Sequence, residues 1–440
     1  MRLLLPVAPV LAFVQSVIAA SSNTPYKPVP YTQAPSYYPG APWNLPGSET
    51  RPTICEVAAA GKDGDDAPTI IEAFQKCKRN AKVVFADTTY HIKSVMEITD
   101  LSNVEVEIKG TLLWSTDISY WLENSLPMGY QNHSTAFIFG GDQVHMYGNG
   151  VGTFNGNGQV WYDRYGDISN YPRRPHQITF NGLTNSVIEG INFLQPQMWT
   201  MTLIYSKKVL LQDIYVNSTN ANGGPNLNTD GADTIYASDI TFTRWVVDAG
   251  DDNVAFKANS TNILVEDCTF YKTTGVAYGS IGQFDGKFEV LEDITVRNIN
   301  AYNNKYGAYV KTWTGVPQGV PPNGGGGGLG YLRNVTMSNF KVENAEQGFY
   351  ITQCNSYSGF TGECDTSEFE IGDISIQGMS GTLKTDVVAS MQCSGKNPCK
   401  EISLRDVSFT TGRGRASRYL CSNVESPDGF GCTGEAPKPQ

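Results

Sequence analysis

The runs Asp239-Ile240-Thr241-Phe242, Asn262-Ile263-Leu264-Val265, Asp293-Ile294-Thr295-Val296 and Asn334-Val335-Thr336-Met337 repeat one pattern, a short apolar segment that follows an Asp or Asn. Their starts are 23, 31 and 41 residues apart. Six similar runs occur elsewhere in the chain: Val83–Phe85, Val104–Ile108, Ser186–Ile188, Val209–Leu211, Asp373–Ile376 and Glu401–Leu404.

Repeats of this length indicate a solenoid, in which each coil buries its apolar face only by stacking on the next one. A β-sandwich is the alternative, but it would need hairpin turns about every 8–12 residues. Asn and Gly, which tolerate left-handed backbone at tight bends, are frequent between the runs. We therefore expect an all-β fold, a single-domain right-handed parallel β-helix that occupies residues 51–440.

The N-terminal part of the chain predicts three segments ahead of the repeats. Residues 1–20 combine a basic Arg2, an apolar stretch and small exit residues, which is typical of a signal peptide. A membrane anchor would need about 20 uninterrupted apolar residues, and prolines interrupt this run, so we expect a secreted, extracellular protein. Residues 21–50 are rich in Pro and Tyr and predict an extended arm. The pattern of Asp65–Phe74 predicts one short N-terminal helix.

The charge of the chain limits its partners. It has 32 basic and 43 acidic residues, a formal net charge of −11, so we expect no nucleic acid partner. An acidic polysaccharide would need local Lys or Arg side chains. The four histidines are distant in sequence from the nine cysteines, so we predict no metal site. We also predict no cofactor, no membrane partner and a monomer.

The cysteines predict disulfides, because a secreted chain folds in an oxidising compartment. Short spacings favour four pairs: Cys55–Cys77, Cys354–Cys364, Cys393–Cys399 and Cys421–Cys432. Cys268 is left over, and we expect it to be a buried thiol. Sequons predict N-glycans at four positions, Asn132, Asn217, Asn259 and Asn334.

Two short acidic clusters carry the candidate chemistry, Asn228-Thr229-Asp230 and Gly250-Asp251-Asp252. Asp230 and Asp251 are 21 residues apart, about one coil. Coils stacked about 4.8 Å apart would bring three carboxylates together and raise the pKa of at least one of them. Because adjacent strand residues face opposite sides, Asp251 and Asp252 can share a cleft only if the strand bulges or ends there. Structural turn residues are the alternative interpretation of either cluster alone.

These clusters resemble the two aspartate motifs of the pectinase family of glycoside hydrolases, family 28. Further motifs of the same family are similar to Gly152–Gly158, Gly279-Ser280-Ile281-Gly282 and Tyr309-Val310-Lys311-Thr312. The resemblance implies an inverting mechanism, with Asp251 as the acid and with Asp230 and Asp252 holding the attacking water. It also implies that Asn228 and Lys311 bind substrate.

The chain departs from the polygalacturonase pattern at two positions. Gly275-Val276-Ala277-Tyr278-Gly279 stands where the polygalacturonases have Gly-His-Gly before the Ser280 motif, and Tyr309 replaces the arginine two residues before Lys311. This resembles the rhamnogalacturonan-active branch and makes an endo-polygalacturonase a poor match. Tyr278, Tyr309 and Trp313 are candidates for an aromatic sugar platform, with coil packing as the alternative. We expect Trp199 to flank the same cleft.

From these features we predict an exo-acting hydrolase that removes terminal galacturonate from pectic polysaccharides, a galacturan 1,4-alpha-galacturonidase. Insertions at residues 114–135 and 314–330 would close one end of the groove. The alternative within the class is an α-L-rhamnosidase or a rhamnogalacturonan hydrolase. Two alternatives lie in other classes, a Ca²⁺-dependent pectate lyase and a non-catalytic pectin-binding protein.

Overall fold

The computed structural model describes residues 50–356 and 363–437. The predicted signal peptide and all of the predicted arm except Thr50 lie outside these residues and stay predictions. No helix in the described part of the chain has the length and apolar character required to cross a membrane.

The described residues form three helices, α1 (Ala67–Lys76), α2 (Ile118–Asn124) and α3 (Gln159–Tyr165). They also form the following strands, in chain order: β1 (Thr53–Val57), β2 (Arg79–Phe85), β3 (Thr89–Ile92), β4 (Met96–Ile108), β5 (Thr111–Trp114), β6 (Leu126–Pro127), β7 (Ser134–Thr135), β8 (Phe137–Tyr147), β9 (Thr153–Asn155), β10 (Pro175–His176), β11 (Ile178–Asn181), β12 (Thr184–Glu189), β13 (Asn192–Leu194), β14 (Met201–Ile204), β15 (Lys207–Gln212), β16 (Tyr215–Asn217), β17 (Ala232–Ile235), β18 (Ser238–Thr243), β19 (Val246–Asp248), β20 (Val254–Phe256), β21 (Ser260–Tyr271), β22 (Val276–Ile281), β23 (Phe288–Tyr302), β24 (Tyr306–Trp313), β25 (Leu329–Ala345), β26 (Gln347–Asn355), β27 (Glu370–Leu383), β28 (Val387–Gln392), β29 (Cys399–Thr411), β30 (Gly414–Ala416), β31 (Arg418–Ser422) and β32 (Val424–Glu425).

The strands wind into a right-handed parallel β-helix, which confirms the predicted fold class. Each coil adds its strands to three stacks of parallel neighbours. The first stack is β1, β2, β4, β8, β12, β15, β18, β21, β23, β25, β27, β29 and β32. The second stack is β3, β5, β9, β13, β16 and β19, continued in the later part of β21. The third stack is β11, β14, β17, β20, β22, β24, β26, β28 and β31.

All ten apolar runs recognised in the sequence lie in the first stack. Their alternate side chains point inward, and equivalent residues of successive coils stack on one another. Phenylalanines continue this stacking in the other two stacks. The rings of Phe139 and Phe180 are 6.2 Å apart in the third stack, and those of Phe154 and Phe193 are 5.0 Å apart in the second. One continuous core therefore runs along the coil axis.

Asparagines form ladders at the corners between strands, as the composition predicted. Asn298 and Asn339 have φ of 57° and 55°, and the side chain of Asn339 donates to that of Asn298 at 2.8 Å. Asn303 and Asn344 repeat the arrangement at 2.7 Å. Asn suits these sites because its short amide tolerates left-handed backbone and bonds the next coil.

Helix α1 covers the N-terminal end of the coil with Ile70 and Phe74 buried beneath it. The side chain of Asp66 does not cap this helix, because it accepts from the backbone N–H groups of Ala60 and His91. A disulfide joins Cys55 to Cys77 at the end of the helix. The other three pairs expected from the spacing are also bonded, and Cys268 is a buried free thiol.

Helices α2 and α3 were missed in the sequence, because each is a short segment in a loop between coils. Helix α2 belongs to the insertion at residues 114–135, together with β6 and β7, which pair with β10 in a separate small sheet. The insertion at 314–330 contains no strand before Leu329. Of the sequon asparagines, Asn132 and Asn334 are exposed while Asn217 and Asn259 are half-buried, and their glycosylation stays a prediction.

Candidate active site

The candidate carboxylates lie where two successive strands of the third stack begin. Asp230 precedes β17, and Asp251 and Asp252 precede β20. The register pairs Ala232 with Val254, an offset of 22 residues, so Asp252 rather than Asp251 stands level with Asp230. The predicted offset of 21 was one residue too short. The three side chains nevertheless meet, since one oxygen from each lies within 4.8 Å of the others.

Asp251 and Asp252 both reach the carboxylate cluster because neither lies in a strand. Strand β19 ends at Asp248 and β20 begins at Val254, so the alternation of faces does not apply between them. Of the two arrangements that the sequence left open, a bulge and a strand end, the structure has the strand end. Gly250 is required in this turn, because a Cβ there would lie 2.1 Å from the Asn226 side chain.

Two donors hold the side chain of Asp252. The ammonium group of Lys311 lies 3.1 Å from its Oδ2, and the hydroxyl of Tyr309 donates to its Oδ1. Lys311 also donates to the Tyr309 oxygen at 3.0 Å. Both donors come from β24, two coils beyond Asp252 in the third stack. A cation in the carboxylate cluster would therefore compete with the ammonium group of Lys311.

Asp251 is more accessible than its neighbours and lines the cleft. Its Oδ2 accepts the backbone N–H of Asn228 at 3.0 Å, and the Thr274 hydroxyl lies 3.4 Å from its Oδ1. Burial, followed by the negative charge of Asp252, raises the pKa of Asp251 above its ordinary value. A partly accessible carboxyl group with a raised pKa is suited to donate a proton.

Asp230 is the most strongly perturbed member of the group. It is buried, and burial followed by the charges of Asp233 and Asp251 raises its pKa well above the ordinary value. Lys311 responds in the opposite sense: burial lowers its pKa, but the charges of Asp252 and Asp251 outweigh this and raise it overall. The site thus combines a lysine whose pKa is raised with two carboxyl groups, Asp230 and Asp251, whose pKa values are also raised.

The sequence analysis missed a second ion pair beside the carboxylates. Asp233 and Lys257 are 0% and 5% exposed, and their Oδ1 and Nζ atoms are 3.3 Å apart. Burial raises the pKa of Asp233 to about 7 despite the opposing effect of Lys257. The available signal was the alternation in β17, which turns Asp233 outward toward the cleft. No equivalent signal marked Lys257, which follows the end of β20.

Trp199 forms one wall of the cleft, as expected. The ammonium group of Lys257 lies 4.7 Å from its ring centroid. The rings of His176 and His133 support it, with centroids 4.4 Å and 4.9 Å away. Burial lowers the pKa of His133 to about 3, so this histidine is neutral.

Of the remaining predicted site residues, some line the cleft and others do not. Asn228 and Trp313 line the cleft, and the side-chain oxygen of Asn228 accepts from Ser169 and Asn170. Tyr309 contacts Asp252 and does not form an open sugar platform. The prediction for Tyr278 was wrong, because this side chain is fully buried in the core beside Phe256. The alternation in β22 turns Ala277 outward in its place.

The two insertions meet beside the carboxylates. Gln131, from the first insertion, bonds to the side chain of Gln283, which follows β22. The amide group of Gln283 also donates to the carbonyl oxygens of Pro322 and Gly324, in the second insertion, at 3.2 Å and 2.9 Å. Gln131, Gln283 and Pro322 line the cleft, which has a volume of about 190 Å³. We call this set of contacts the glutamine wall.

Comparison with known proteins agrees with the fold and the motifs. The pattern of the family described as glycosyl hydrolases family 28 matches residues 82–432. The chain is 48% identical over 387 residues to an Aspergillus niger protein named alpha-L-rhamnosidase rgxB, covering 87% of this chain and 90% of that one. It is 33% identical over 422 residues to an exopolygalacturonase of Cochliobolus carbonum, covering 94% and 92%.

Among solved structures, the chain is similar to an endo-xylogalacturonan hydrolase from Aspergillus tubingensis. The TM-score is 0.73 at 25% sequence identity, and the match covers 87% of this chain and all of that one. The family pattern spans most of the parallel β-helix, including both aspartate motifs and Lys311. The chain therefore belongs to family 28 of the glycosyl hydrolases and is a glycosidase.

Proposed function

We propose that this glycosidase is an exo-acting enzyme that removes a single terminal sugar from pectic glycans. One observation carries the proposal: the cleft with the carboxylates is bounded by the glutamine wall. A groove for endo action has to let a polymer pass on both sides of the cleaved bond. The volume of about 190 Å³ is below the range of about 300–1,000 Å³ typical of drug-sized ligands, and suits one sugar ring.

The charges of the cleft favour a neutral terminal sugar. Among the described residues that line it, the cations are Lys257 and Lys311, and each is already paired with a buried aspartate. A uronate carboxylate would enter beside Asp230, Asp251 and Asp252 without an uncommitted partner, which is unfavourable in a buried site. With the 48% identical rhamnosidase, this supports a terminal α-L-rhamnoside as the substrate.

Terminal galacturonate, the substrate predicted from the sequence, is the second candidate. Its support is the pair of lysines in the cleft and the relative named as an exopolygalacturonase. To bind a uronate, Lys257 or Lys311 would have to share its aspartate with the sugar carboxylate. Membership of the family supports a hydrolase over the lyase and the non-catalytic binding protein.

In the proposed mechanism, Asp251 protonates the glycosidic oxygen as the bond from the anomeric carbon to that oxygen breaks. A water molecule between Asp230 and Asp252 attacks the anomeric carbon and forms the new C–O bond. Asp252, which accepts hydrogen bonds from Lys311 and Tyr309, takes the proton of this water. Asp230, whose pKa is raised well above its ordinary value, orients the water. Hydrolysis of this kind needs an acid and a base on opposite faces of the sugar.

Inversion at the anomeric carbon is proposed from the family. The carboxylate oxygens lie within 4.8 Å of one another. This is closer than the about 5–5.5 Å typical of retaining enzymes and the about 6.5–9.5 Å typical of inverting ones. The separation therefore does not distinguish the two outcomes, and the product has to be observed directly.

We also propose that the protein is secreted and acts as a monomer outside the cell. The four disulfides support secretion, since such bonds persist mainly in oxidising compartments. The apolar N-terminal sequence supports it independently.

The substrate is tested with an aryl α-L-rhamnoside, rhamnose-terminated rhamnogalacturonan oligomers and polygalacturonate. We expect free rhamnose with an inverted anomer in the first NMR spectra, and no fall in polymer viscosity. We expect kcat/KM to be at least about tenfold lower on polygalacturonate, because an uncompensated buried carboxylate costs more than about 1.4 kcal/mol. Faster release of galacturonate would support the second candidate, and a rapid viscosity drop would contradict exo action.

Replacing Asp251 by Asn tests its role as the acid. Asn keeps the shape but cannot donate the proton, so kcat should fall by about 10²–10⁴-fold while the fold is retained. The matched control is Asp87→Asn, at an exposed carboxylate remote from the cleft. The measurements are kcat on the best substrate and the circular dichroism melting curve. Normal turnover in the Asp251 variant would remove this residue from the mechanism.

Replacing Lys311 by Met tests the charge balance through the pH profile. The positive charge of Lys311 lowers the pKa of Asp251, so its removal raises that pKa further. An enzyme that needs protonated Asp251 loses activity as the pH rises through this pKa. The alkaline limb of kcat/KM should therefore move to higher pH in the variant, together with a lower maximum rate. A limb that moves to lower pH or stays in place would contradict Asp251 as the acid.

A further inference from the structure

A second concave surface lies on the far side of the glutamine wall from the carboxylates. Gln131 lines both, and the surface has a volume of about 510 Å³. It is bounded by the tip of the first insertion and by the turn between β22 and β23. We call it the aromatic groove, after the rings of Tyr130, Tyr236, Phe284 and Phe288 that line it.

The rings of the aromatic groove continue into an exposed strip. Tyr130 contacts Phe284 and Tyr236, with centroids 5.4 Å and 6.0 Å apart. Tyr205 stacks on Tyr236 at 5.2 Å, with the ring planes at 6°. Phe288 is 63% exposed and Tyr205 is 54% exposed. Contiguous exposed rings of this kind are not needed for the core and indicate a binding surface.

The aromatic groove also presents polar groups at its base. The hydroxyl of Tyr130 is buried and has no hydrogen-bond partner among the described residues. Glu289 is buried and accepts only the backbone N–H of Gly282 among the described contacts, at 3.1 Å. Burial raises its pKa to about 7. A buried hydroxyl without a partner is costly unless a ligand completes its bonding.

The composition of the aromatic groove fits a neutral saccharide. Flat rings accept the C–H faces of pyranose sugars, while amide, carboxyl and phenol groups bond their hydroxyls. Among the described lining residues, the charged groups are Lys287 and Glu289, one of each sign. An anionic polyuronate would find one ammonium group here, that of Lys287, for its whole row of carboxylates. The ligand favoured by this surface is therefore uncharged.

We propose that the aromatic groove is an accessory binding site for neutral pectic side chains, which holds the polymer beside the cleft while a terminal sugar is cleaved. This proposal rests on the proposed function only in taking the ligand from the same polymer. The glutamine wall separates the aromatic groove from the carboxylates. Only a substrate long enough to occupy both therefore gains affinity from the groove. The groove contributes nothing to the cleavage of a small aryl glycoside.

The binding test uses the Asp251→Asn protein and a galactan hexasaccharide as the neutral probe, in isothermal titration calorimetry. We expect binding that is weakened about fivefold by Phe288→Ala, since a lost ring contact costs about 1 kcal/mol. Ile54→Ala, at a side chain equally exposed but on β1, is the matched control and should leave binding unchanged. Tyr236→Ala provides a second variant of the groove. Absence of galactan binding, or equal binding by all variants, would overturn the proposal.

The active enzyme supplies an independent readout. Phe288→Ala should lower kcat/KM on branched polymeric substrate about fivefold, by the same lost contact, and leave the aryl rhamnoside unchanged. An equal loss on both substrates would overturn an accessory role. If rhamnosides are not cleaved at all, the proposed function fails, while the calorimetric result still decides the groove.

The protein's own N-glycans are the competing occupant, since Asn132 and Asn259 both line the aromatic groove. Galactan is therefore titrated into protein with and without enzymatic removal of N-glycans. Equal binding in both samples supports the accessory site. Binding that appears only after deglycosylation would overturn it, because the groove would then be filled by the protein's own glycan.

Discussion

Stacking of each coil directly on the last is the constraint on which the active site depends. Parallel strands lie about 4.8 Å apart, so residues that begin successive strands of the third stack have to meet. Asp230 and Asp252 lie at equivalent positions just before β17 and β20. Asp251 joins them because it lies in the turn before β20 begins. At this separation, two carboxylate charges repel by about 3 kcal/mol at an effective dielectric constant of about 20. The fold therefore enforces a site in which not all the acids ionise.

Two lysines offset part of the repulsion between these carboxylates, because each is paired with one buried aspartate. Lys311 is paired with Asp252, and Lys257 is paired with Asp233 beside the ring of Trp199. Burial and the neighbouring negative charges raise the pKa of Asp230 and of Asp251. The same pairing leaves both lysines committed to aspartates, and the proposed preference for an uncharged terminal sugar rests on it. The glutamine wall is proposed to limit the number of sugar units that enter the cleft.

The sequence predicted the features that repeat or that form contiguous motifs. Ten apolar runs in one stack were enough to predict the coil, and the two aspartate motifs were enough to predict that three carboxylates meet. The third stack was not visible, because strands such as Ala232–Ile235 are short and mix polar with apolar residues. Lys257 and the contact between Gln131 and Gln283 depend on distant parts of the chain meeting in space, which no local pattern encodes. Tyr278 was misplaced because a β-strand alternates its faces, and the motif alone does not show which face a residue takes.

The most direct test of this account is the crystal structure of the Asp251→Asn protein with a rhamnose-terminated rhamnogalacturonan oligomer. We expect one uncharged ring in the cleft, with its glycosidic oxygen next to residue 251 and its anomeric carbon facing Asp230 and Asp252. The rest of the chain should leave through the open mouth of the cleft and not pass between Gln131 and Gln283. An oligomer that continues past Gln131 and Gln283 on both sides of the cleaved bond would contradict the account.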